Sequence, residues 1–118
     1  MYARSVDDSD PPLNREPRTV GCIVVRGLSD EPQPGWVEAR LRDADGREWT
    51  FFDKPPMFDD GTLNITADAV YPVEAMLRVW LTGHRTRADG RKVALVVARD
   101  VDSSDGAAAF EVDEAAVR

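Results

Sequence analysis

The run Val37-Glu38-Ala39-Arg40-Leu41-Arg42-Asp43-Ala44-Asp45-Gly46-Arg47-Glu48-Trp49-Thr50-Phe51 carries the strongest structural signal in the chain. Apolar and charged residues alternate on both sides of Asp45-Gly46, the pattern of two half-buried strands joined by a tight turn. A two-residue turn would set Leu41 opposite Thr50 and Arg42 opposite Trp49, mixing the faces. A three-residue Ala44-Asp45-Gly46 loop, with Gly46 in the left-handed conformation, sets Leu41 opposite Trp49, Ala39 opposite Phe51 and Arg42 opposite Glu48. One face is then apolar and the other carries a charge pair, so the three-residue register is expected.

The same chemistry recurs downstream. Ala88-Asp89-Gly90-Arg91 repeats the string of residues 44 to 47 and separates an apolar stretch, Tyr71 to Thr82, from another, Arg91 to Val101. The three-residue rule predicts a second hairpin with Leu81 opposite Val97, Trp80 opposite Ala98 and Arg78 opposite Asp100. Upstream, Thr19 to Leu28 is β-branched and almost continuously apolar, which reads as a central strand covered on both faces. Pro32, Pro34 and Gly35 mark the loop between it and the strand that begins at Trp36. Pro55-Pro56 forces the chain out of the sheet, a short helical turn fits Thr66 to Ala69, Ala107 to Val112 reads as a last edge strand, and Asp113 is placed to cap a terminal turn through Ala116. The expected fold is all-β: a small antiparallel barrel of five to six strands, OB-like or SH3-like, with a β-sandwich as the alternative.

Length and charge frame this reading. A chain of 118 residues with 42% apolar content suits one domain around one modest core. Residues 1–18, with Asp7, Asp8, Asp10, Pro11, Pro12 and Pro17, hold too little apolar surface to order themselves and are expected to form a disordered tail ahead of a single domain at 19–118. Fifteen basic against 22 acidic residues give a net charge of -7, which disfavours indiscriminate binding to nucleic acid or anionic membrane. The lone Cys22 permits no intrachain disulfide, and no apolar run resembles a signal or a membrane span, so a cytoplasmic location is expected.

The string Trp49 to Phe58, with Asp43 to Gly46 before it and Tyr71-Pro72-Val73 after it, resembles small, acidic, β-rich bacterial proteins that have no assigned activity. That resemblance implies a fold-sized unit and carries no function with it.

The residues of enzymatic chemistry are sparse. The sole histidine, His84, has no serine beside it in sequence and no nucleophile-elbow pattern nearby. Cys22 lies in the most apolar strand, where a thiol is a small hydrophobe with a raised pKa. Asp59-Asp60-Gly61 lacks the repeated acidic spacing of a calcium loop, and no glycine-rich phosphate loop precedes a helix. The expectation is a noncatalytic domain without cofactor or metal. Two features point to binding. Phe52, Lys54, Met57 and Phe58 cluster around the proline pair, while Trp36, Arg40 and Arg42 project from the strand preceding them; together these seven residues form the candidate binding surface. Residues 100 to 118 hold six acids against one base, five of the seven net negative charges, as an inhibitor or immunity-type protein would use to approach a basic partner. Protein binding is therefore the expected function. An OB-like module for single-stranded nucleic acid, using exposed aromatics and arginines, is the alternative.

Overall fold

The computed structural model describes residues 15–28, 35–59 and 70–118. Six antiparallel strands follow one another: β1 Glu16–Gly27, β2 Val37–Arg42, β3 Glu48–Asp53, β4 Val73–Thr86, β5 Lys92–Ala98 and β6 Ala109–Asp113. Two 3-10 turns, Pro55–Phe58 and Glu114–Ala116, complete the regular structure, and no α-helix lies among the described residues. The expected disorder of the first residues and the turn at Thr66 to Ala69 fall outside those residues, apart from Arg15 to Arg18. Of these, Glu16, Pro17 and Arg18 extend β1 by pairing with Leu81, Trp80 and Val79 of β4, so the strand begins ahead of its apolar run.

The strands form one sheet in the order β3-β2-β1-β4-β5-β6. It curls strongly, because the long central strands β1 and β4 each carry a bulge, between Val24 and Arg26 and between Leu81 and Gly83, and a bulge adds local twist. The curl brings the two end strands together as a barrel-like fold. Phe110 of β6 meets the rings of Trp49 and Phe51 of β3 edge to face, with centroids 5.1 and 5.9 Å apart. Backbone bonds cross the same seam, from Ala44 N–H to the Glu111 carbonyl at 2.8 Å and from Ser104 N–H to the Thr50 carbonyl at 2.7 Å. At the far end Val117 bridges Val20, and Thr19 and Arg118 exchange two backbone bonds of 3.0 and 2.8 Å. The interior holds Val20, Val24, Leu41, Phe51, Leu77, Val79, Val96 and Val112, each nearly or wholly buried.

The first hairpin has the expected register, with Leu41 opposite Trp49, Ala39 opposite Phe51 and Arg42 opposite Glu48, and Gly46 at φ +81°. The second departs from expectation. Near its turn the pairs Thr86–Lys92 to Gly83–Leu95 follow the three-residue rule, with Gly90 at φ +87°, but Thr82 is an extra residue whose hydroxyl donates to the Leu95 carbonyl at 3.1 Å. Beyond it Leu81 faces Val96, Trp80 faces Val97 and Val79 faces Ala98, one residue away from the expected pairs. The bulge places Val96 and Ala98 on the core face with Val79 and Leu81; since β5 is apolar on both faces, its pattern did not fix the register. The expected pair of Arg78 and Asp100 is absent too. Arg78 instead donates to the carbonyls of Pro56 and Asp59 at 2.9 and 2.8 Å, tying the proline turn to β4.

The two Ala-Asp-Gly-Arg turns sit side by side. Arg87 pairs with both Asp45 and Glu111, and Arg91 donates to the Ala44 carbonyl at 2.6 Å. Asp113 accepts a hydrogen bond from Ala115 N–H at 3.1 Å and so caps the terminal turn as expected.

Candidate functional site

In β2 the inward residues Val37, Ala39 and Leu41 are buried, which turns Trp36, Glu38, Arg40 and Arg42 to the outer face. The ladders then fix their neighbours. Leu28 N–H donates to the Trp36 carbonyl at 2.8 Å, Glu38 lies between Arg26 and Phe52, Arg40 between Ile23 and Thr50, and Arg42 beside Glu48. The outer face of β1, β2 and β3 thereby gathers Ile23, Leu28, Trp36 and Phe52, which are 37–43% exposed. They are four of the five large hydrophobic residues exposed among the described residues, the fifth being Val70.

Amid them is a buried carboxylate. Glu38 is 2% exposed although it points outward, because the side chains of Arg26 and Arg40 lie over it. Arg26 Nε donates to Glu38 Oε1 at 2.7 Å, and Arg40 donates through Nε and Nη2 to Oε2 at 3.0 and 2.9 Å. Burial alone would push this carboxyl up. The hydrogen bonds and charges of the two guanidinium groups together outweigh burial and hold it below its usual value. Arg42 and Arg40 also approach Glu48 at 3.5 and 3.7 Å, so the ion pairs run across the face.

Of the residues singled out from the sequence, Trp36, Arg40, Arg42 and Phe52 share this face. Lys54, half-buried, stands where the chain leaves β3 for the proline turn. Met57 is half-buried against the core, and Phe58 is fully buried at 0% exposure, so neither belongs to an exposed surface with the other five. Phe58 closes the core where Pro55-Pro56 lifts the chain from the sheet. Sequence reasoning missed Ile23, Leu28 and Glu38. Only the pairing of β1 with β2 brings them in, and the sequence between those strands carries no tight-turn motif from which to derive a register.

The other candidates have ordinary roles. Trp80 faces outward but lies between the guanidinium groups of Arg15 and Arg99, 4.0 and 4.2 Å from its ring centroid. Burial pushes the Cys22 thiol up to about 12, where it is a poor nucleophile at neutral pH. His84 Nδ1 lies 3.1 Å from Glu114 on the exposed surface. Three of the six acids of residues 100 to 118 have internal partners: Glu111 pairs with Arg85 and Arg87, Asp105 with Arg47, and Glu114 lies beside His84. No group of three or more His, Cys, Asp or Glu side chains among the described residues is arranged to hold a metal ion, and no helix there is long and apolar enough to cross a membrane.

No protein-family model, no curated protein and no solved structure matches this chain.

Proposed function

We propose that this protein is a noncatalytic binding module whose partner is another protein, held on the outer face of β1, β2 and β3. The observation that carries the reading is the gathering of Ile23, Leu28, Trp36 and Phe52 on one face, where scattered single hydrophobics would be ordinary. Half-exposed Trp36 and Phe52 on a face that also carries Arg26, Arg40 and Arg42 match the composition of an interface centre. The Arg26–Glu38–Arg40 network supports the same reading, since it fixes two guanidinium groups before any partner arrives and reduces the ordering cost of binding. The acids of residues 100 to 118 lend less support to an inhibitor directed at a basic partner, because several already have internal counter-ions. A cytoplasmic setting belongs to the proposal and agrees with a free, buried Cys22.

The second reading is an OB-like single-strand binder. The order β3-β2-β1-β4-β5 and the position of Phe52 and Trp36 around β2 and β3 favour it, for that is the face such barrels use. The carboxylates of Glu38 and Glu48 count against it, because acids interleaved with the arginines oppose a continuous phosphate backbone.

Affinity capture from the cell of origin separates the readings when wild type is compared with a Trp36→Ala/Phe52→Ala double variant and with Glu114→Arg. The expected result is a protein retained by wild type and Glu114→Arg and lost by the double variant. Capture unchanged in the double variant would overturn the assignment of the face, and nuclease-sensitive retention of nucleic acid would favour the second reading.

A further inference from the structure

A glycine stands in mid-strand where neither backbone nor packing requires one. Gly21 lies inside β1, has no positive φ, and an added Cβ would meet nothing within 4 Å. A β-branched residue would suit the strand better. Gly21 instead lies in the lining of an open groove of about 770 Å³ on the outer face, with Ile23, Val25 and Met76 as its apolar lining. Arg40, Arg42 and Glu48 line it on the β2 and β3 side, and Glu74 on the β4 side.

The charge presented beside this apolar floor is not that of the whole chain. The Arg26 and Arg40 side chains are 64% and 42% exposed, whereas Glu38, which offsets part of their charge, is 3% exposed beneath them; Arg42, 71% exposed, stands 3.5 Å from Glu48, which is 46% exposed. Over Glu38 a ligand meets the guanidinium groups first, on a protein whose net charge is -7.

We propose that the groove over Gly21 seats an apolar side chain from an acidic segment of the partner protein, with neighbouring carboxylates of that segment reaching Arg42 and Arg26. This rests on the protein-binding reading above and adds the chemistry of the partner. The six residue steps from Trp36 to Arg42 span about 20 Å at roughly 3.3 Å each, room for a short extended peptide to engage the groove together with Trp36 and Phe52. Nucleic acid fits the groove less well. Its floor is aliphatic, with no ring for a base to stack on, and Glu48 and Glu74 oppose a continuous phosphate backbone, whereas a peptide places its charges at chosen positions.

The test is selection of random dodecamer peptides displayed on phage against the full chain, with selected peptides then titrated against Gly21→Phe, Arg42→Glu and Trp36→Ala/Phe52→Ala, and the melting temperature of each variant measured. Peptides rich in Asp or Glu beside a large apolar residue are expected, binding about tenfold or more weaker to Gly21→Phe and to Arg42→Glu while both variants stay folded. Enriched peptides that are basic or neutral, yet depend on Trp36 and Phe52, would overturn the acidic partner and leave the binding face intact. Peptides that bind the Trp36→Ala/Phe52→Ala variant as well as wild type, or no enrichment at all, would overturn both. A parallel titration with oligo-dT is expected to show no binding; Arg42-dependent binding that displaces the peptides would overturn the proposal in favour of nucleic acid.

Discussion

Glu38 shows how one residue joins stability to surface chemistry. Its folded pKa lies below the ordinary value of 4.5, so the unfolded chain binds this proton more readily than the native one. The stability it contributes is therefore fully present above that value and is lost as pH falls through the lowered folded pKa. Glu38→Gln should cost about 2 kcal/mol near pH 7, the scale of a charge-assisted hydrogen bond, and the gap to wild type should close on acidification. Urea unfolding at a series of pH values measures this, and a gap that widens toward acid would contradict the assignment. Gly21 predicts the opposite sign. Gly21→Val should stabilise the domain by roughly 0.5–1 kcal/mol, since the strand gains a β-former and nothing obstructs the new side chain. By contrast, Gly46→Ala and Gly90→Ala force alanine to φ +81° and +87° and should each cost about 1 kcal/mol or more, read from the same unfolding curves.

At the scale of elements, the clearest consequence is that the proline turn belongs to the core. Phe58→Ala should lower stability by about 3 kcal/mol or more, because it empties a fully buried aromatic site in a small domain; a melting temperature unchanged from wild type would refute the plug. Aromatic clustering around Pro55-Pro56 could not distinguish plug from interface, as both ask for large apolar side chains beside a rigid turn. The first hairpin was legible in full, because strict alternation in Val37 to Arg42 leaves one register that keeps Leu41 and Ala39 facing Trp49 and Phe51. The second was legible only as far as Thr82. Residues Val93 to Ala98 are apolar on both faces, so a one-residue shift incurs no visible penalty in the pattern, and the bulge that makes the shift is decided by the core. The same limit hid part of the candidate site. Trp36, Arg40, Arg42 and Phe52 were readable along their own strands, whereas Ile23, Leu28 and Glu38 acquire meaning only when β1 pairs with β2.

For the whole molecule, the barrel divides its surface unevenly. On the side of β5 and β6 ion pairs tie elements together, as in the Arg87 pairs with Asp45 and Glu111 that join the two hairpin turns. On the side of β1, β2 and β3 half-exposed apolar side chains gather beside outward guanidinium groups that pair with Glu38 and Glu48. Because Trp36 and Phe52 are only partly buried, Trp36→Ala/Phe52→Ala should cost no more than about 1 kcal/mol, a few degrees in Tm, while removing partner binding. The central claim, that this face is the binding surface, is tested most directly by mapping amide chemical-shift changes on a 15N-labelled chain as a peptide selected against it is added. The account predicts shifts concentrated at Gly21 to Leu28, Trp36 to Arg42 and Glu48 to Phe52. Shifts concentrated instead along Lys92 to Ala98 and Ala109 to Asp113 would contradict it and return the binding surface to the acidic edge.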